Sequence, residues 1–134
     1  STAKADALHD YGMHLGIAFQ LADDLLDYAG DPDETGKNVG DDLAEGKITL
    51  PLLHAMKVGD KSDRRLVADT LRNKDGSAFA DIMAVVQRTG GIEATREAAL
   101  EHQNQAMAAL ETLGQNEATV ALSEMADRAV DRRG

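Results

Sequence analysis

The chain has 134 residues, enough for one domain with a single core, and 24 acidic against 14 basic side chains give it a formal charge of −10. That surplus argues against nucleic acid or an anionic membrane surface as partner, because both would repel it. The absence of cysteine excludes disulfides and thiolate metal sites and is compatible with a cytoplasmic enzyme. Two Phe, two Tyr and no Trp leave an aliphatic core of Leu, Ala, Ile, Val and Met as the expectation. No apolar run approaches the ~20 residues that spanning a bilayer requires, so no transmembrane segment is expected. The opening STAKADALHDYG lacks an initiator Met and reads as mid-helix. A fragment of something longer is therefore expected.

The first element is a helix over residues 3–28, where Leu8, Leu15, Ala18, Leu21, Ala22, Leu25 and Leu26 recur at helical spacing. Residues 30–47, GDPDETGKNVGDDLAEGK, are rich in Gly and Asp and read as a long loop, with a short helical turn near residues 41–45. Loops of that length are usually functional or disordered. ITLPLLHAMKV follows as a second helix, with Thr49 as its N-cap and Pro51 in its first turn. Ser62 is the expected cap of a helix to about Arg72, and Ser77 or Asp75 of one ending at Thr89-Gly90. Residues 92–113 carry Leu100, Met107 and Leu110 on one stripe before Gly114. Asn116 caps the last helix, which closes with Arg128, Arg132 and Arg133 where the helix dipole favours cations. No segment alternates with period two. The fold class is all-α.

Within the first helix, Gln20, Asp23, Asp24 and Asp27 fall in an arc of roughly 100°. Asp23 and Asp27 lie one turn apart, and like charges at that spacing destabilise a helix. No lysine or arginine occurs between Lys4 and Lys37 to offset them. Leu21, Ala22, Leu25 and Leu26 take the other side, so the stripe is expected to face a cleft rather than bulk water. Upstream it meets His9, Gly12, Met13 and Gly16. Helical glycine costs about 1 kcal/mol relative to alanine, which suggests close approach by a helix or a ligand. A hard divalent cation resolves the charge conflict, because Mg²⁺ binds through one or two carboxylates and completes its shell with water and phosphate oxygens. Zinc does not suit a stripe with no His or Cys at its centre. Beyond it come TGK and EGK, whose lysines Lys37 and Lys47 follow glycines that let the backbone turn. Carboxylates for metal and lysines for phosphate together point to a diphosphate site.

A different class of reading takes DPDETGKNVGDD as a calcium loop, with Asp31, Asp33, Thr35, Gly36 and Asp42 at positions one, three, five, six and twelve. It lacks the bidentate Glu at the end, has Asn38 where an apolar residue belongs, and leaves the helical aspartates unexplained. His14, His54 and His102 read as structural or exposed.

FQLADDLLD, the following GK, and GDDLAEGKITLPLL resemble the C-terminal half of the trans-type isoprenyl diphosphate synthases, the polyprenyl synthetase family. YGMHLGIAFQLADDLLDYAGD looks most like its long-chain bacterial members, such as octaprenyl diphosphate synthases. The strong match covers residues 11–56. The resemblance implies an isoprenoid synthase-type helical array, of which residues 1–134 form a single helical fragment with 30–47 as its diphosphate-binding loop. It implies elongation of an allylic diphosphate with isopentenyl diphosphate, with Mg²⁺ as cofactor. Asp23 and Asp27 match the aspartates that hold Mg²⁺, with Asp24 as companion. Lys37 matches the lysine on the allylic diphosphate and Lys47 a supporting one. Phe19 and Gln20 match positions near the isopentenyl group, and Asp42 an acidic residue that orders the loop. The family's first aspartate-rich motif has no counterpart here. The chain is accordingly expected to be inactive alone, to associate through its exposed apolar stripe, and to belong to a full-length homodimer. A non-catalytic partner subunit of the same fold is the alternative.

Overall fold

A computed structural model of the chain describes residues 2–29, 45–73 and 78–130. They form α1 (Thr2–Ala29), α2 (Leu50–Val58), α3 (Lys61–Asn73), α4 (Phe79–Thr89), α5 (Gly91–Leu110), a 3₁₀ turn (Glu111–Leu113) and α6 (Glu117–Val130). Among the described residues there is no strand, so the all-α class holds. The loop over residues 30–44, the turn near residues 41–45 except its last residue, the Asp75 and Ser77 caps, and Arg132 and Arg133 lie outside the described residues. The chain divides into two compact units, one of Ser1–Ala22 with Glu97–Arg132 and the other of Asp23–Arg96 with Arg133–Gly134. Each unit has its own apolar cluster, where chain length alone suggests one core.

In the second unit α2 packs on α3 and α4, and α3 on α4. Leu52 and Ala55 of α2 meet Val67 of α3, Ile82 and Val86 of α4, and Tyr28 from the last turn of α1. Sequence spacing explains the contact faces, since Leu52 and Ala55 are three apart and Ile82 and Val86 four apart. The helix ends are made by local chemistry. Gly90 stops α4 in the left-handed region at φ 78°, and its N–H reaches back to the carbonyls of Val86 and Gln87. Gly91 opens α5 so close to α2 that an added Cβ would stand 2.7 Å from the Pro51 carbonyl oxygen.

The start of α3 corrects the Ser62 expectation. Asp60 is the cap: its Oδ1 accepts from the Asp63 N–H at 2.9 Å, while Asp63 Oδ2 accepts from the Asp60 N–H at 3.0 Å. This reciprocal box satisfies two orphan donors where a serine inside the helix satisfies none. Thr49 does precede α2 with Pro51 in the first turn, but its hydroxyl makes no capping bond.

In the first unit Tyr11, Ala106, Leu110 and Ala126 form the cluster. The Tyr11 hydroxyl donates to the Leu122 carbonyl at 2.6 Å, and Gln103 Nε2 donates to the Ala126 carbonyl at 2.8 Å. Burial and loss of water push the Tyr11 phenol above its ordinary range. Asn116 caps α6 as expected, its Oδ1 accepting from the Thr119 N–H at 3.0 Å. Two expectations about the core change. Tyr11 and Tyr28 are both buried, so it is not purely aliphatic. Leu8 and Leu100 are exposed, while Ala7, Ala18, Ala99 and Ala106 are buried, because small side chains let helices approach closely and leave larger neighbours at the margin.

Candidate functional site

Asp23, Asp24 and Asp27 occupy the last two turns of α1, and no basic residue stands in the final turn. The carbonyl end of a helix carries partial negative charge, which adds to the mutual repulsion of the carboxylates. The helix nevertheless withdraws Asp24 from bulk water, and Asp23 in part. Asp24 is 8% exposed and Asp23 half-buried, while Ala22, Leu25 and Leu26 are buried in the packing beside them. Asp23 and Asp24 both have interactions with neighbouring groups. The side chain of Asp27 lies outside what is described.

Tyr28 explains how these turns are held. Its ring is buried in the cluster with Leu52 and Ala55 and lies 6.1 Å from that of Phe79 between centroids. Asp23, Asp24 and the backbone of Asp27 therefore belong to the same compact unit as α2 and the segment that leads into it. That segment carries Lys47. Gly46 turns the chain at φ 79°, a conformation that a side chain would strain, and Lys47 follows with its side chain 61% exposed. Its Nζ lies 3.8 Å from Glu45 Oε2, itself exposed, a weak surface pair.

Thr49, two residues on, was read from the sequence only as a cap. It is 7% exposed, and its Oγ1 has no hydrogen-bond partner among the described residues. A buried unsatisfied hydroxyl is uncommon enough to mark the α2 entrance as a polar position. The sequence signal was present in KITLP but is equally the signal of an ordinary N-cap.

Phe19 and Gln20 lie on α1 in the first unit, and both are exposed. Lys37, Asp42 and the calcium-loop positions Asp31, Asp33, Thr35, Gly36 and Asn38 fall outside the described residues. Among the described residues no three His, Asp or Glu side chains converge as a metal cluster. The donors at hand are carboxylate oxygens, which suit a hard cation. Of the helix or ligand expected to approach Gly12 and Gly16, no helix does so among the described residues: nothing there lies within 4 Å of a Cβ built at either. Met13 beside them is 46% exposed. No helix among the described residues is long and apolar enough to cross a membrane.

The polyprenyl synthetase family model matches residues 1–89. The chain is 44% identical over 126 residues to the octaprenyl diphosphate synthase of Escherichia coli K12, a match covering 93% of this chain and 39% of the relative. The polyprenyl synthase of Caulobacter crescentus, solved with calcium and isoprenyl diphosphate, superposes on all of this chain and 42% of its own with a TM-score of 0.88 at 40% identity. The geranylgeranyl pyrophosphate synthase of Corynebacterium glutamicum, solved with isoprenyl diphosphate and magnesium, gives a TM-score of 0.83 at 34% identity over 99% of this chain and 39% of that one. The chain thus spans about 40% of the length of the curated relatives it matches.

Proposed function

The chain belongs to the polyprenyl synthetase family, and on that footing we propose that it is the C-terminal part of a Mg²⁺-dependent prenyltransferase. The whole enzyme elongates an allylic diphosphate with isopentenyl diphosphate to a longer trans-polyprenyl diphosphate. Supporting this reading is one observation above others: a buried and a half-buried carboxylate at the negative end of α1 share a compact unit with a glycine-led lysine.

Bound Mg²⁺ supplies positive charge against the diphosphate oxygens. Asp23 and Asp27, with Asp24 as companion, are the residues that would hold it, and their all-oxygen donor set fits. Lys37, with Lys47 in support, is assigned from the resemblance to the departing diphosphate, where an ammonium meets the charge that accumulates as the allylic C–O bond breaks. Stabilisation given where charge develops lowers the barrier more than equal binding of substrate and transition state. Phe19 and Gln20 are assigned to the isopentenyl side. The reaction needs no side-chain nucleophile, since carbon–carbon bond formation ends with loss of a proton. Homodimer assembly and a cytoplasmic location accompany this reading.

The test uses the full-length protein. Asp23→Ala should lower kcat/KM by on the order of 10²–10³-fold, as removing one transition-state contact commonly does. Unchanged turnover would remove Asp23 from the mechanism. A titration with Mg²⁺ and pyrophosphate adds a binding readout: affinity for each should rise in the presence of the other. Calcium uptake indifferent to pyrophosphate would instead favour the calcium-loop reading.

A further inference from the structure

His14 of α1 and His102 of α5 bring their Nδ1 atoms to 2.9 Å, with ring centroids 5.1 Å apart and ring planes 29° from parallel. Both belong to the first unit, whereas Asp23 and Asp24 belong to the second, and nothing in the proposed reaction uses them. At that separation one nitrogen carries a proton and donates, while the other offers its lone pair. One ring of the pair is therefore a neutral base already.

We propose that this pair is a binding site for a borderline divalent transition ion such as Ni²⁺, Cu²⁺ or Zn²⁺, which takes both Nδ1 atoms as ligands. The displaced proton passes to the Nε2 of the ring that carried it, or to solvent where that ring is an imidazolium, so that both rings bind as neutral imidazoles. Three features support it. Imidazole is the preferred ligand of these ions. Two ligands at ~2.0–2.1 Å from a tetrahedral ion stand about 3.3 Å apart, so the rings need to part by a few tenths of an ångström and tilt together. The helices that carry them are anchored close by, through the Tyr11 hydroxyl on Leu122 and the Gln103 amide on Ala126. Both rings are only half-buried, which leaves a path for the ion and room for water at its remaining positions. Asp10, one turn before His14, and Glu101, beside His102, are exposed and add negative potential without joining the ligand set.

The experiment titrates the 134-residue chain with Ni²⁺ by calorimetry in the presence of excess Mg²⁺, which occupies carboxylate sites and competes poorly for imidazole. One equivalent should bind, and either His14→Gln or His102→Gln should weaken it about tenfold or more, since even loss of an outer-shell partner commonly costs that much. His9→Gln, on the same helix but outside the pair, should leave it unchanged. The Cu²⁺ complex should show two coupled imidazole nitrogens in its electron paramagnetic resonance spectrum, a readout on the unsubstituted chain that does not depend on how the variants fold. No stoichiometric binding, a single coupled nitrogen, or full affinity in both pair variants would overturn the proposal. Each outcome is separate from that of the Asp23 test.

Discussion

Asp63 shows how one side chain links two helices. Its carboxylate accepts from the Arg88 guanidinium of α4 and from the Asp60 N–H at the start of α3. The Arg88 hydrogen bond, followed by that of the Asp60 backbone, holds the Asp63 carboxyl below the usual carboxylate range. Arg88 is correspondingly held above its ordinary value by the same bond. A depressed folded value means that the ionised form is favoured by folding. The contribution is then complete above the unfolded value, near 3.9 for an ordinary Asp, and is lost as pH falls through the folded one. Arg88→Gln should therefore be less stable than the parent chain in urea at neutral pH, with the gap closing in acid. A gap that stays constant as the carboxylates protonate would mean the pair contributes through packing alone.

At the scale of elements, the two glycines between α4 and α5 separate conformation from space. Gly90 has φ 78° and nothing within 4 Å of an added Cβ, so Gly90→Ala should cost about 1 kcal/mol, from backbone strain only. Gly91 shows no such positive φ, yet its added Cβ would meet the Pro51 carbonyl oxygen at 2.7 Å and Val86 Cγ1 at 3.2 Å. Main chain cannot swing aside, so Gly91→Ala should cost about 1–3 kcal/mol. Thermal melts of both variants would distinguish them, and a harmless Gly91→Ala would contradict the close approach of α5 to α2. Punctuation of this kind was largely legible in the sequence: the Thr89-Gly90 stop, the Asn116 cap and Gly114 all act where the residue types suggested. Less legible were the choice between neighbouring caps and the residues on which the buried faces centre. Asp60 outcompeted Ser62 because Asp63 answers it, and the buried faces centre on alanines that a search for large apolar residues passes over. The aspartate stripe could be found from its lack of local cations. What no pattern disclosed was that Thr49 would be buried without capping, or that His14 would meet a ring 88 positions away.

For the whole molecule, a charge of −10 repels copies of the chain from one another, while one face of α1 carries apolar side chains that association would bury. Leu8, Met13 and Phe19 are 52%, 46% and 50% exposed, and Gly12 and Gly16 between them leave the backbone open to close approach. Apolar side chains of this size, grouped on one helix, mark a surface that association can bury. The two tendencies respond oppositely to ionic strength. Salt screens the repulsion, with a Debye length of about 10 Å at 0.1 M, but leaves the apolar attraction in place. Sedimentation velocity over a concentration series should therefore show self-association of the 134-residue chain that strengthens from low to moderate salt. Met13→Asp removes a side chain whose burial is worth about 1.5–3 kcal/mol and adds a charge, so the dimer constant should weaken about tenfold or more. Association that falls with salt would instead point to ion pairs between copies, and an unaltered Met13→Asp variant would place the contact on another face.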